Sequence, residues 1–367
     1  MSKLKKDIYV TRPSLNTIDS FSSLLKDSWK TGILTHDGPL VKEFEHKLTN
    51  KLNVTNFVSC TNGTIALQMG IKACALKKKY ILTSAFTWIA TASAIRAEGY
   101  EPIFIDIKDE SLNMCPRATE NYLNKKSDEI AAIMPVHVFG SPCDVEHFDR
   151  ISKKYKIPLI YDAAHAIGTS FKGDSVLNYG DISCVSLHST KLLNCGEGGG
   201  CISSKHSNDL KRIRFFGHNE EKDIVTDGFN GKLTEVHAAL GLANLEIFDS
   251  VLEDRKRKYK FYKKSLSHLS NIKFQKIDEN NVNYSYFPII LDSEKELLGL
   301  LSYLNSERIF PRRYFYPSVN TFKVFNDYFC PISEDISKRI LCLPLYFDLL
   351  DSEQQLIVKN ISDFFNE

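Results

Sequence analysis

No Cys-x-x-Cys pair occurs among the nine cysteines, at positions 60, 74, 115, 143, 184, 195, 201, 330 and 342. With an odd count and most of them inside apolar runs, they read as small buried hydrophobes rather than as a disulfide or zinc framework. His137, Cys143 and His147 fit no standard metal spacing either, so no metal site is expected. No apolar run is long enough to cross a bilayer, and the stretch from Met1 to Asp7 lacks the apolar core of a signal peptide. No membrane partner and a cytoplasmic location are therefore expected. Charge of one sign is missing too: a net charge of +2 over 367 residues offers nucleic acid no electrostatic footing. No internal repeat or low-complexity segment appears.

What is present is an ordinary globular composition, long enough for a large domain and a smaller one, set at 1–245 and 246–367. Helical spacing marks Ile18 to Trp29, and a helix from Leu40 to Lys51 follows the Gly-bounded loop Gly32 to Pro39. That loop carries Thr35 and has the polar make-up of a segment that closes over a ligand, although a plain connector would look the same. Short apolar β-rich runs then alternate with helical ones: strands at Phe57–Cys60, Tyr80–Leu82, Pro102–Ile107, Ile130–Val136, Ile157–Tyr161 and Ile182–Val185. This alternation predicts α/β architecture with a largely parallel sheet covered on both faces. One long helix is expected from about Thr234 to Lys264, its basic run Arg255 to Lys258 on a solvated face. The last third reads as α+β, with strands near Ile272 to Gln275 and Tyr286 to Leu291 and helices at Glu294 to Asn305 and Glu353 to Phe365.

Ligands on such sheets sit beyond the carboxyl ends of the strands, and polar residues recur there. Asn62-Gly63-Thr64 joins a strand end to a helix start, where free N–H groups favour an anion. Trp88, one of only two tryptophans, follows another strand and could cover a flat ring; a core Trp is the plainer alternative. Asp162 and His165 end a third strand in Asp-Ala-Ala-His. Lys191 lies in Ser186-Leu-His-Ser-Thr-Lys-Leu-Leu-Asn-Cys-Gly-Glu-Gly-Gly-Gly200, between two short apolar runs. A partly buried lysine can hold an aldehyde as a Schiff base, which makes Lys191 the candidate anchor for pyridoxal phosphate (PLP), with Ser186 and Ser189 as phosphate donors. A carboxylate such as Asp162 can face the pyridine nitrogen and keep it protonated. Arg312, Arg313, Tyr314 and Tyr316 together suit a phosphoryl ligand with a ring attached.

The order Asn62-Gly63-Thr64, Phe86-Thr87-Trp88, Pro135-Val136-His137, Asp162-Ala163-Ala164-His165, Ser186 to Lys191, Glu197-Gly198-Gly199 and Asn230 resembles the DegT/DnrJ/EryC1/StrS nucleotide-sugar aminotransferases from about Thr31 onward. The resemblance implies the fold-type I architecture of PLP-dependent aminotransferases: a large domain with a mostly parallel seven-stranded sheet and a smaller C-terminal α+β domain. It also implies that Lys191 is the catalytic lysine and that Asp162 pairs with the pyridine nitrogen. Trp88 would cover one ring face, His165 would contact the ring, and Gly63, Thr64 and Ser186 would hold the phosphate. Asn230 would reach over from a second subunit, so a homodimer with shared active sites is implied. Many members carry glutamine where this chain has His165. The reaction implied is transfer of an amino group from L-glutamate to C4 of dTDP-4-keto-6-deoxy-D-glucose, giving dTDP-4-amino-4,6-dideoxyglucose, with Thr35, Arg312, Arg313, Tyr314 and Tyr316 toward the substrate. Amination at C3 of a dTDP-3-keto-6-deoxyhexose and a non-catalytic regulator on the same fold remain the alternatives.

Overall fold

Seven strands whose side chains are nearly all buried form the centre of the protein, which is described here by a computed structural model covering residues 6–325 and 328–366. They are β1 (Val58–Cys60), β2 (Tyr80–Ser84), β3 (Glu101–Ile105), β4 (Ile130–Met134), β5 (Ile160–Asp162), β6 (Ile182–Ser186) and β7 (Gly199–Ile202). Four strands pair in the order β1-β7-β6-β5 and three in the order β3-β2-β4. Parallel bridges Ile133↔Leu159 and Val136↔Asp162 join β4 to β5 and make the two ladders one sheet. Every neighbouring pair is parallel except those of β7, which runs against both β1 and β6. The expected mostly parallel seven-stranded sheet is therefore present.

Side chains alternate between its two faces, as a period of two requires. Ile160, Cys184 and Cys201 enter a core with Ala66, Leu67 and Ile71 of α3 (Gly63–Ala73). Tyr161 and Val185 enter the other, against Phe44 and Leu48 of α2 (Pro39–Lys51) and Ala239 and Leu242 of α8 (Glu235–Glu246). Counting from the N-terminus, the further helices are α1 (Ile18–Thr31), α4 (Ile89–Ala97), α5 (Pro116–Lys126), α6 (Val145–Tyr155), α7 (Ser207–Arg214) and α8 (Glu235–Glu246).

The expected single helix after Thr234 is two: α8 ends at Glu246, Ile247 leaves helical geometry at φ −97° and ψ 3°, and α9 (Phe248–Leu266) starts afresh. The break lets Phe248 and Val251 stay in the main core while Tyr259 and Tyr262 turn into the next one. Nor is its basic run a solvated face. Arg255 and Lys258 are each 1% exposed: Arg255 donates to the Ser285 carbonyl at 2.9 Å, and Lys258 pairs with Asp254 and donates to the Tyr346 carbonyl at 3.0 Å. Lys256 is half-buried, and Arg257 keeps its charge at the surface, paired with Asp254 and Asp351.

The C-terminal part is an antiparallel sheet β8-β9-β10 (Ile272–Phe274, Phe287–Leu291, Ile340–Leu343) packed with α10 (Glu294–Ser306) and α12 (Asp351–Asn366) around a separate core. α11 (Pro331–Arg339) leads into β10. The short strand Ile8–Tyr9 pairs in parallel with Ile309–Phe310, so the start of the chain docks on this part rather than on the main sheet.

Candidate active site

The carboxyl ends of β1, β5 and β6 and the start of β7 converge on a cavity of about 630 Å³, the size of a small-molecule site. Its wall includes Asn62, Gly63, Thr64, Trp88, Asp162, His165, Ser186, Lys191, Arg312 and Tyr314. Five separate segments thus bring ten of the residues singled out in the sequence to one place.

At the end of β1 the Asn62 side chain caps α3 by accepting the Ile65 N–H at 2.9 Å. The N–H groups of Gly63 and Thr64 in that first turn have no intrahelical carbonyl behind them and, with the helix dipole, form an anion cradle. Packing shapes the cradle. A β-carbon on Gly63 would stand 2.8 Å from Ser186 Cβ, and one on Gly199 would stand 2.5 Å from the Asn62 carbonyl oxygen. Ser186 closes the third side, while Ser189 is absent from the cavity wall.

Asp162, 5% exposed, is held on both oxygens: Oδ2 accepts from Thr91 Oγ1 at 2.7 Å and Oδ1 from the Ala164 N–H at 3.1 Å. Burial pushes its carboxyl above the usual range, opposed by those two hydrogen bonds and by the charge of Lys191. Lys191 is half-buried and follows a tight turn, its N–H donating to the His188 carbonyl at 2.8 Å. Loss of solvent lowers its amine to about 8, with Asp162 pulling the other way. Near neutral pH a usable fraction of the amine is therefore uncharged and nucleophilic.

His165 lies parallel to Phe139 and Phe315 and 4.9 Å from the Tyr286 ring. Burial holds its imidazole well below the ordinary value, so it is neutral, and its buried Nδ1 has no hydrogen-bond partner among the described residues. Across the mouth Trp88, 51% exposed, meets Tyr314 edge-on at 6.4 Å, and the Arg312 guanidinium sits 4.7 Å from the Tyr314 ring centre.

These features fit PLP. The narrow glycine cradle could take a phosphate and the buried carboxylate a ring nitrogen, the unpaired His165 nitrogen leaves a polar position for a ring, and the depressed lysine could meet an aldehyde.

Four other candidates lie outside this cavity wall. Thr35 is on the loop before α2, and Asn230 is exposed, its amide oxygen held by Lys232 at 2.5 Å. Arg313 pairs with Glu294 at 2.6 Å and stacks 3.4 Å from the Tyr316 ring centre, which occupies both residues. Sequence reasoning missed Thr91 and Tyr286. Thr91 carried a usable signal, being a hydroxyl one turn after Thr87 in an alanine-rich helix. Tyr286 carried none, because it reads as the first apolar residue of a strand. His137 and Cys143 serve the fold: His137 Nδ1 accepts the Cys143 N–H at 3.0 Å, and the Cys143 thiol donates to the Val136 carbonyl at 3.0 Å. Among the described residues no group of three His, Cys, Asp or Glu side chains could hold a metal, and no helix is long and apolar enough to cross a membrane.

Comparison with known proteins gives a consistent picture. The sequence pattern of the DegT/DnrJ/EryC1/StrS aminotransferase family matches residues 17–362. A dTDP-4-amino-4,6-dideoxy-D-glucose transaminase of Shigella dysenteriae is 36% identical, over 98% of this chain and 100% of its own length. A protein of the same name from Escherichia coli is 33% identical over 96% of this chain and 97% of its own. Among solved structures, a DegT DnrJ EryC1 StrS aminotransferase from Brucella abortus superposes with a TM-score of 0.89 at 27% identity, covering 95% of this chain and 96% of that one.

Proposed function

Because the chain belongs to the DegT/DnrJ/EryC1/StrS aminotransferase family, whose enzymes depend on PLP, we propose that it moves an amino group from L-glutamate to C4 of dTDP-4-keto-6-deoxy-D-glucose. The product is dTDP-4-amino-4,6-dideoxyglucose. The observation that carries the reading is Lys191, an amine lowered to about 8 and facing the buried carboxylate of Asp162 in a cavity with a phosphate cradle. The two full-length relatives named for this sugar support the choice of substrate.

When bound, PLP withdraws electrons from the carbon that loses its proton and carries the amino group between the two substrates. Gly63, Thr64 and Ser186 would hold its phosphate, Asp162 would face its ring nitrogen, and Trp88 and His165 would confine the ring. Lys191 is both the anchor and the base. Its free amine takes the proton from the α-carbon of L-glutamate and, in the second half of the reaction, supplies one to C4 of the sugar. Arg312 and Tyr314 at the mouth offer a cation and a ring face to the nucleotide sugar, and the pose they hold would decide which carbonyl reaches the reacting centre.

Asn230 and Thr35 belong, on this reading, to the cavity of a second copy. An exposed apolar surface beside them supports it: Ile33, Leu34, Phe216 and Val236 are 42%, 43%, 45% and 38% exposed, and the Leu34 carbonyl is bonded to the Glu235 N–H in the turn that carries Val236. Mixing Lys191→Ala with Asn230→Ala chains would then restore some activity that neither variant has alone. Supplying glutamate with either the 4-keto sugar or its 3-keto isomer, and locating the new amine by NMR, tests the reaction; an amine at C3, or none, refutes it.

A further inference from the structure

We propose that Thr91, backed by Thr87, is a positioning residue for the cofactor: a chain of two hydroxyls at the start of α4 holds Asp162 ionised and fixed in the plane that meets the ring. This rests on the PLP reading above. Thr91 is fully buried and Thr87 is 2% exposed, so neither hydroxyl has water to fall back on. Thr91 Oγ1 has three acceptors in reach, Asp162 Oδ2 at 2.7 Å, Thr87 Oγ1 at 2.8 Å and the Trp88 carbonyl at 3.2 Å, but only one proton. The carboxylate is the nearest and the only charged one, so the proton goes there. Thr87 then donates to Thr91, and the chain has one direction, Thr87 to Thr91 to Asp162.

On the other oxygen the Ala164 N–H does the same work. Each carboxylate oxygen thus has one protein donor behind it and one lone pair left toward the cavity, which sets the plane of the carboxylate. The groups facing Asp162 are few. Lys191 approaches from the loop after β6, the neutral Cys143 thiol from the loop before α6 and the Thr91 hydroxyl from α4, while the neutral His165 lines the same cavity. Of those that oppose burial at Asp162, Thr91 is the largest, ahead of Ala164 and Lys191. It also differs in kind. The help from Lys191 is a charge that disappears once the amine loses its proton, whereas a hydroxyl donates at any pH. The same turn of α4 carries Trp88, so one short helix start sets both the carboxylate and the aromatic cover.

The test compares the cofactor-loaded wild type with Thr91→Val, which keeps the shape and loses the hydroxyl, with Thr91→Ser, which keeps the hydroxyl, and with Asp162→Asn. Three quantities are read: the cofactor dissociation constant, the pH titration of the bound cofactor's visible band, and kcat and KM across pH. Thr91→Val should bind the cofactor about tenfold more weakly, the scale of a lost hydrogen bond to a charged group. Without the hydroxyl the Asp162 carboxyl rises further, so the acid limb of kcat and of the spectral titration moves to higher pH. KM for the sugar should stay within about twofold, because binding at the mouth is untouched. Thr91→Ser should return all three toward wild type. A Thr91→Val protein that melts lower but keeps the wild-type titration and cofactor affinity overturns the proposal, as does a Thr91→Ser protein no better than Thr91→Val. If Asp162→Asn itself changes neither affinity nor titration, the cofactor reading fails first and takes this proposal with it.

Discussion

A β-carbon on Gly63 would lie 2.8 Å from Ser186 Cβ, closer than such atoms approach one another, so the first turn of α3 and the end of β6 touch only because position 63 has no side chain. Gly63→Ala must therefore push the two apart and widen the phosphate cradle. The expected result is cofactor affinity lower by at least about tenfold, roughly 1.4 kcal/mol, read by absorbance titration. Wild-type affinity would show that the cradle is not where the phosphate sits.

Lys191 gives a pH signature before any cofactor is added. Burial lowers its amine from 10.5 to about 8. Below about pH 8 the charge is present in folded and unfolded chains alike and disfavours the folded one; between about 8 and 10.5 only the unfolded chain holds the proton, so this contribution to stability rises with pH. Cofactor-free Lys191→Met should melt above the wild type at pH 7, with the gap closing as pH approaches 10.5. Thermal scans across that range check it; a gap that widens with pH would contradict it.

Glu235 ties α2, the helix after the loop carrying Thr35, to α8. Its fully buried carboxylate accepts the N–H groups of Leu40 and Val41, each at 2.9 Å, where the first turn of α2 has no carbonyl of its own to offer. Glu235→Ala strands both donors and should lower unfolding free energy by about 3 kcal/mol in urea titration. Glu235→Gln, which keeps one of the two acceptors and no charge, should lose less.

Arg214, 2% exposed, spans Glu45 at 2.5 Å and Asp37 at 2.7 Å and also donates to the Ser59 carbonyl at 2.9 Å. It therefore anchors the loop carrying Thr35 to the strand that feeds the phosphate cradle. Removing it leaves the partly buried Glu45 without its cation and the Ser59 carbonyl without its donor, and Arg214→Met should cost about 3 kcal/mol of stability. Denaturation at low and high salt should give nearly the same loss, because a buried pair is little screened.

The parts of the molecule that could be read in advance are those where one physical requirement governs the residue. The strands of the main sheet are buried on both faces and so appear as apolar runs; the helix expected from Leu40 to Lys51 is found at Pro39–Lys51. Residues at the strand ends, Gly63, Asp162 and Lys191, stood out because polar groups interrupt such runs only for a reason. What was missed depends on tertiary contact. The turn at Ile247 has no Gly or Pro to announce it and follows from packing two cores with one segment. Arg255 and Lys258 look like solvated charges until backbone carbonyls of distant segments are seen to receive them. α5, α11 and β10 escaped because α5 and α11 are mostly polar and β10 lies directly against α11 without a turn signal. Arg313 and Tyr316 were grouped with Arg312 and Tyr314 by adjacency alone, and the pair stacks on itself instead.

The account stands on one amine. Borohydride added to the cofactor-loaded protein fixes the cofactor to whichever lysine holds it, and digestion followed by mass spectrometry identifies that residue. The pyridoxyl group is predicted on Lys191, and on it alone, with no labelling in Lys191→Ala. A tag on any other lysine, or an equal tag in the variant, would contradict the assignment of the site.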